Sequence, residues 1–389
     1  MRTLGSAVKA VVRYRRPDPR CWEVVVTAVC DHVPDSWDAA RAVAQAGPAV
    51  SAHADRIAEA LDKRLGRVEE LALALAGMGD VRALPALRDL AKRNRLPSGR
   101  AGGRILGAMP AAELLPAVLP GLRQEPEQYH ASTVTLELLA AWGPAAAPAV
   151  PDVVRYLETP YAYDALRVLG RIGPPAAVAA DRLAAYATGR DELAGRLHPR
   201  MAAWAHWRVT GDPALALDVC GAAVASGTGS HGLPFLADLG PLAAAHAGTV
   251  RGLTESPGAW TRVAAAHAYW RITGDPEPAV PVLLAEVDPQ WTGLPALPTR
   301  EAVRRLGAIG APAAAAAPLL RRILASAERL TYPWESTRIL ADESYVRTLT
   351  EALAQMGRSG PAAPVPELVP AARPGLLQRW REARAARPR

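Results

Sequence analysis

Apolar side chains in this chain are grouped in short stripes that end at a recurring glycine. Four residues before that glycine stand Val43, Leu75, Leu106, Leu139, Leu169, Leu236, Leu306 and Leu353, with Trp207 and Trp270 in the same slot. One residue before it stand Met78, Met109, Trp142, Ile172, Leu239, Ile309 and Met356. Offsets of one and four share a face of an α-helix, so each copy predicts a helix that buries one stripe. A second stripe follows the glycine, as in LPALRDL (84–90), LLPAVLPGL (114–122), VPDVVRYL (150–157), VPVLLAEV (280–287) and PLLRRIL (318–324). Strand-like alternation is scarce. The markers are Gly47, Gly79, Gly143, Gly173, Gly211, Gly240, Gly274, Gly310 and Gly357, with Pro110 in the third place. Their spacings run 32, 31, 33, 30, 38, 29, 34, 36 and 47 residues. A helix, a stop and a second helix, repeated at this period, predict an array in which each unit packs on its neighbours.

The joint is best preserved in HWRVTGDP (206–213), which returns as YWRITGDP (269–276) after 63 residues, two periods with the Gly240 unit between them. Arg208 and Arg271 fall in the last helical turn, where a cation complements the carbonyl end of the helix. Gly211 and Gly274 can take the left-handed conformation that ends it. Asp212 and Asp275 are placed to cap the next helix, and Pro213 and Pro276 suit its first position.

Composition favours the array over a sandwich of β-branched strands. Half of the 389 residues are apolar, only one is Phe, and Ala dominates the remainder, which suits helices packed closely through small side chains. The net charge of +7 suggests nucleic acid until it is divided along the chain. Residues 1–20 carry +5 and residues 371–389 another +5, leaving −3 for the body. Cys21, Cys30 and Cys220 are too few and too dispersed for a disulfide framework, and no CxxC or Cys/His ligand spacing is present. The first residues lack the apolar core of a signal peptide, and no run is long enough to span a bilayer. The expectation is a cytoplasmic protein without membrane insertion.

A unit written helix, Gly-[Asp/Pro], helix with an early xPxL resembles the HEAT repeat in its short PBS-lyase HEAT-like form, over roughly residues 36–370. The resemblance implies an all-α fold, an α-solenoid forming a right-handed superhelix of about ten helix-turn-helix repeats. Residues 1–35 would be a basic N-terminal segment and cap, and 371–389 an Arg-rich tail. Arg200, Arg262, Arg300 and Arg347, ten to twelve residues before their markers, match the Arg that opens the first helix of this repeat. There it pairs with turn acids in a structural ladder between repeats. The resemblance also implies partner binding on a concave face, and it carries no catalytic motif.

Few local motifs point to chemistry. GTGSHG (227–232) matches G-x-G-x-x-G but follows a helical run rather than a strand, so it reads as a loop between units. Trp207 and Trp270 could stack on a ligand, yet eight other units place Leu or Val in that slot, so they read as core, and Trp204 and His267 are read the same way. The eight histidines are scattered, with no HExxH and no convergent carboxylates, and neither a metal site nor a cofactor is implied. Arg88, Lys92, Arg93, Arg95, Arg100 and Arg104, opposed in sequence only by Asp89, begin on a second helix, the side that lines the concave surface in HEAT arrays. They are candidates for binding phosphate or an acidic partner. The final 47-residue interval implies an insertion at 330–345, and its Tyr332, Trp334, Glu335, Asp342 and Tyr345 are candidates for partner recognition.

These readings favour a non-enzymatic scaffold that binds a protein partner on its concave face or through 330–345. The alternative is a nucleic-acid binder resembling the HEAT-like alkylpurine DNA glycosylases, using its basic segments. A bilin-type lyase or lyase chaperone, suggested by the repeat's name, ranks last.

Overall fold

The computed structural model describes residues 3–64, 67–97, 103, 105–123, 129–189, 198–226, 231–294, 296–330 and 338–358. Within them every regular element is helical, and the only β contact is an isolated bridge between Tyr14 and Glu328. A hairpin of α1 (Leu4–Arg13) and α2 (Pro19–Cys30) opens the chain. Two units follow, α3 (Trp37–Ala46) with α4 (Ala54–Asp62) and α5 (Val68–Gly77) with α6 (Leu84–Lys92). The third is described mainly by its second helix, α7 (Ala111–Arg123). Then come α8 (Tyr129–Trp142) with α9 (Val150–Arg155), α10 (Ala162–Ile172) with α11 (Ala180–Thr188), and α12 (Pro199–Thr210) with α13 (Ala214–Ala225). The last are α14 (Leu233–Leu239) with α15 (Ala247–Gly252), α16 (Ala259–Thr273) with α17 (Ala279–Ala285), α18 (Thr299–Ile309) with α19 (Ala317–Leu324), and the longer α20 (Arg338–Met356).

The apolar stripes hold these pairs together. Val43, Leu75, Leu106, Leu139, Leu169, Leu236 and Leu306 are completely buried four residues before their joints. From the second stripes Leu87, Leu114, Val153, Leu283 and Leu320 are equally buried. A leucine withdrawn from water in this way contributes roughly 1.5–3 kcal/mol.

Two kinds of joint occur along the array. Where glycine precedes Pro or Ala-Pro, at Gly47, Gly173, Gly240 and Gly310, it takes a positive φ with ψ between −128° and −141°. An Ala-rich 3-10 turn follows each of them. A Cβ at Gly47, Gly143, Gly173, Gly240 or Gly310 would lie 3.2–3.6 Å from a backbone carbonyl near the end of the next unit's first helix. At Gly79, Gly211 and Gly274, where Asp follows, a Cβ would meet nothing within 4 Å. Gly211 and Gly274 close α12 and α16 in the left-handed conformation, with φ of 82° and 75°. Asp212 then accepts from the Ala214 N–H at 3.0 Å, as the capping reading requires. Asp275 accepts from Glu277 N–H at 3.0 Å, but α17 starts only at Ala279, so Pro276 stands in the preceding turn rather than at the first helical position. Arg271 does not stay at its own helix end. Its Nε reaches the Ala237 carbonyl of the previous unit at 3.3 Å, as Arg171 reaches Ala140 at 3.4 Å.

The first helices form the inner row. Six consecutive residues of α5, Leu71 to Ala76, and five of α12, Met201 to Ala205, are buried, which happens only when a helix is covered on all sides. Second helices keep one face in solvent. In α6 only Leu84, Leu87, Leu90 and Ala91 are buried. The inner row also meets itself. The last helix, α20, packs on α3, and the Leu340 N–H donates to Gln45 Oε1 at 3.3 Å. The array therefore has no free first and last unit among the described elements, a feature that the periodicity does not contain.

Candidate functional site

The basic cluster of the third helical pair begins on the outer row. Arg88 lies on α6, and its Nε donates to the Glu113 carbonyl at 2.9 Å while its guanidinium also meets the Glu113 carboxylate. Arg93 pairs with Asp89 at 3.0 Å, and Arg95 with Glu69 at 2.7 Å. Lys92 is exposed, and Arg100 and Arg104 lie outside the described residues. Three of the candidate cations are thus already matched by carboxylates: Asp89 on α6 itself, Glu69 on the paired helix α5, and Glu113 on the next unit. Read linearly, the cluster has only Asp89 against it; in three dimensions Glu69 and Glu113 join. The same pairing continues along the outer surface through Asp31 and Arg56 at 3.0 Å, Asp55 and Arg82 at 2.8 Å, Asp152 and Arg123 at 3.3 Å, and Glu158 and Arg182 at 2.5 Å. These contacts form a ladder between neighbouring units, through arginines other than those the resemblance assigns. Among the four arginines assigned to it by resemblance, Arg262 bonds Glu286 at 2.5 Å within its own unit, and Arg300 reaches Ser344 at 3.4 Å.

The segment 330–345 is used from within. Tyr332, Trp334 and Glu335 lie outside the described residues. Asp342 and Tyr345 are buried, so neither presents a surface to a partner. Asp342 accepts from Arg15 at 2.9 Å, from Arg329 at 3.1 Å and from the Leu330 N–H at 3.1 Å. Arg329, itself buried, also bonds Glu343 at 2.6 Å and the Val11 carbonyl at 3.1 Å. Backbone bonds complete the fastening, Arg15 N–H to Ala327 O at 2.9 Å and Arg329 N–H to Arg13 O at 2.8 Å. Arg13 adds a surface pair with Glu328 at 2.9 Å. Two of the N-terminal arginines that looked like a free basic segment are therefore one half of a clasp. Tyr345 packs edge-on against Trp291 with ring centroids 4.9 Å apart, and burial raises its phenol pKa.

The tryptophans divide differently from the alignment. Trp204, not Trp207, is the deep plug. Its ring lies where a Cβ on Gly170 would fall, it packs against Phe235 at 5.9 Å, and its Nε1 donates to Asp238 at 2.8 Å. Trp207 is half-buried beside the Arg208 guanidinium, 5.7 Å from the ring centroid, while Trp270 is buried. Among the described residues Trp37 is the most exposed aromatic, at 64%, with the Arg67 guanidinium 3.5 Å above its ring.

Among the described residues no cluster of three or more His, Cys, Asp or Glu could hold a metal. Burial pushes the Cys30 thiol up to about 11 and the Cys220 thiol up to about 12, so neither is a thiolate near neutrality. No helix among the described residues is long and apolar enough to cross a membrane. His267 on α16 is buried and accepts through Nε2 from Arg305 Nη1 of α18 at 3.1 Å. Arg305 and Arg304 both pair with Glu301, at 2.5 and 2.7 Å. Sequence reading placed His267 in the core without its partners, because Arg305 is 38 residues away. No protein-family model and no curated protein matches this chain.

Proposed function

We propose that this protein is a non-catalytic, HEAT-like scaffold that binds a protein partner along the edge formed by its joints. The observation that carries this reading is a set of large apolar side chains left in solvent just after joint glycines. Val81 and Leu242 stand two residues past Gly79 and Gly240, and Val178 stands five past Gly173. They are 59%, 55% and 78% exposed. A repeat that buries its stripe residues completely gains nothing for its own fold from these three, and exposed apolar side chains on one edge suit a partner. The extended surface of a repeat array suits such binding. The nucleic-acid alternative loses Arg88, Arg93 and Arg95 to carboxylates.

The test is affinity capture with the natural chain and with a Val81→Asp, Val178→Asp, Leu242→Asp variant whose helical circular dichroism and melting midpoint match it. Loss of a specific protein partner from the variant supports the edge. Retention of the partner overturns it. Nuclease-sensitive capture that fades with salt would favour the nucleic-acid reading instead.

A further inference from the structure

The seam between α16 and α18 concentrates positive charge that the described residues do not fully neutralise. Arg304 and Arg305 share the single carboxylate of Glu301, and Arg305 also spends a donor on the neutral ring of His267. Arg271, on the same helix as His267, is close enough for its charge to act on both His267 and Arg305. Burial, with the three guanidiniums adding to it, holds the imidazole well below its ordinary pKa, so His267 contributes no charge. Burial also lowers the Arg305 pKa to about 10. Among the described residues Arg304 and Arg305 thus share one carboxylate, with the charge of Arg271 bearing on Arg305 as well. The Nε–H of Arg304 is buried and has no hydrogen-bond partner among the described residues, although the Arg304 side chain as a whole is 34% exposed. A buried donor left unmade costs about 1–3 kcal/mol, and such a group calls for a water or an ion as its missing partner.

The chain supplies its own comparison. Asp164 and Arg167 in α10 occupy the places of Glu301 and Arg304, nine and six residues before their joints, and pair at 3.1 Å. Arg167 Nε is likewise buried without a partner. The next position there is Val168 where α18 has Arg305, so the α10 pair is balanced in charge. An unpartnered Nε is therefore common to both places, and the surplus of cations belongs to the α16–α18 seam.

We infer that Arg304 and Arg305 form a site for a small oxyanion, a phosphate or a ligand's phosphate group, entering beside Arg304. A tetrahedral dianion would accept from the Arg304 Nε–H and offset the surplus charge, and guanidinium forks match its geometry. This site is independent of the joint edge, so either proposal can fail alone.

The experiment is thermal unfolding of the full chain with inorganic phosphate against sodium chloride at equal ionic strength, joined to phosphate titration followed by the His267 imidazole resonance. The expected result is a phosphate-specific rise in melting midpoint and a saturable shift of that resonance, both reduced at least tenfold in apparent affinity by Arg304→Gln. Arg167→Gln, at the balanced pair, should leave both unchanged. If Arg304→Gln alters the fold, Arg304→Lys, which keeps the charge but removes the fork, should still weaken phosphate binding. No difference between phosphate and chloride, or binding indifferent to both Arg304 variants, overturns the site.

Discussion

Two sets of arginine–carboxylate contacts hold different parts of this molecule, and they resemble each other only in composition. The ladder over the outer surface joins neighbouring helices and units through partners such as Arg95 and Glu69, whose side chains remain 68% and 38% exposed. The clasp joins residues 315 positions apart and places Asp342 and Arg329 out of water altogether. In solvent a guanidinium and a carboxylate exchange good hydration for a modest attraction, so the pair contributes little. Inside the protein each member needs the other, because an ion stripped of water and of its partner is severely destabilised. Function was expected at the first place on grounds of charge and at the second because the repeat is interrupted there, yet one is a series of surface staples and the other a buried lock.

Removing Asp342 should give the largest effect. Asp342→Ala leaves Arg329 without its principal buried counterion, and a loss of about 3–5 kcal/mol in urea denaturation is expected. A loss below about 1 kcal/mol would erase the distinction between lock and ladder. A sharper form is a pair of double-mutant cycles. Arg15 with Asp342 should show coupling above about 1.5 kcal/mol, and Arg95 with Glu69 below about 0.5 kcal/mol. Raising the salt to 1 M, where screening acts within about 3 Å, should abolish the second coupling and spare most of the first. The smallest effect is a pH dependence in the ladder. Hydrogen bonding from Arg82 holds the Asp80 pKa below its ordinary value. Its stabilisation is therefore complete above the ordinary Asp pKa, near 3.9, and fades as pH falls through the lowered folded value. Asp80→Asn should flatten that part of the acid-stability curve; an unchanged curve would deny Asp80 the role.

Much of the fold could be read before the structure because its decisive signals are local. A glycine that must take positive φ, the Asp after it and apolar residues one and four places before it are all set within a single helix end. Eight of the nine marker glycines have positive φ, and seven of the slots four residues before a joint are filled by completely buried Val or Leu. What could not be read depends on which distant residues arrive together. Glu69 reaches the basic cluster only when α5 folds against α6, Glu113 only when the next unit stacks, and Arg15 meets Asp342 only when the ends meet. Trp204 rather than Trp207 becomes the plug because Gly170, 34 residues earlier, leaves space for its ring. The candidates at 342 and 345 failed for a related reason: an interrupted period marks a change in packing, and here the change is inward.

The meeting of α20 with α3, fastened by the clasp, also fixes an order of events in folding. Every joint can form as soon as two adjacent units exist, whereas the clasp must bring together segments separated by 315 residues. The entropy of closing so long a loop is about 5 kcal/mol by chain statistics, comparable to what a buried ion pair can return. The array should accordingly assemble unit by unit and fasten last. Amide hydrogen exchange in Leu4–Arg13 should then report clasp opening at a lower free energy than exchange in the buried inner helices, whose amides wait for global unfolding.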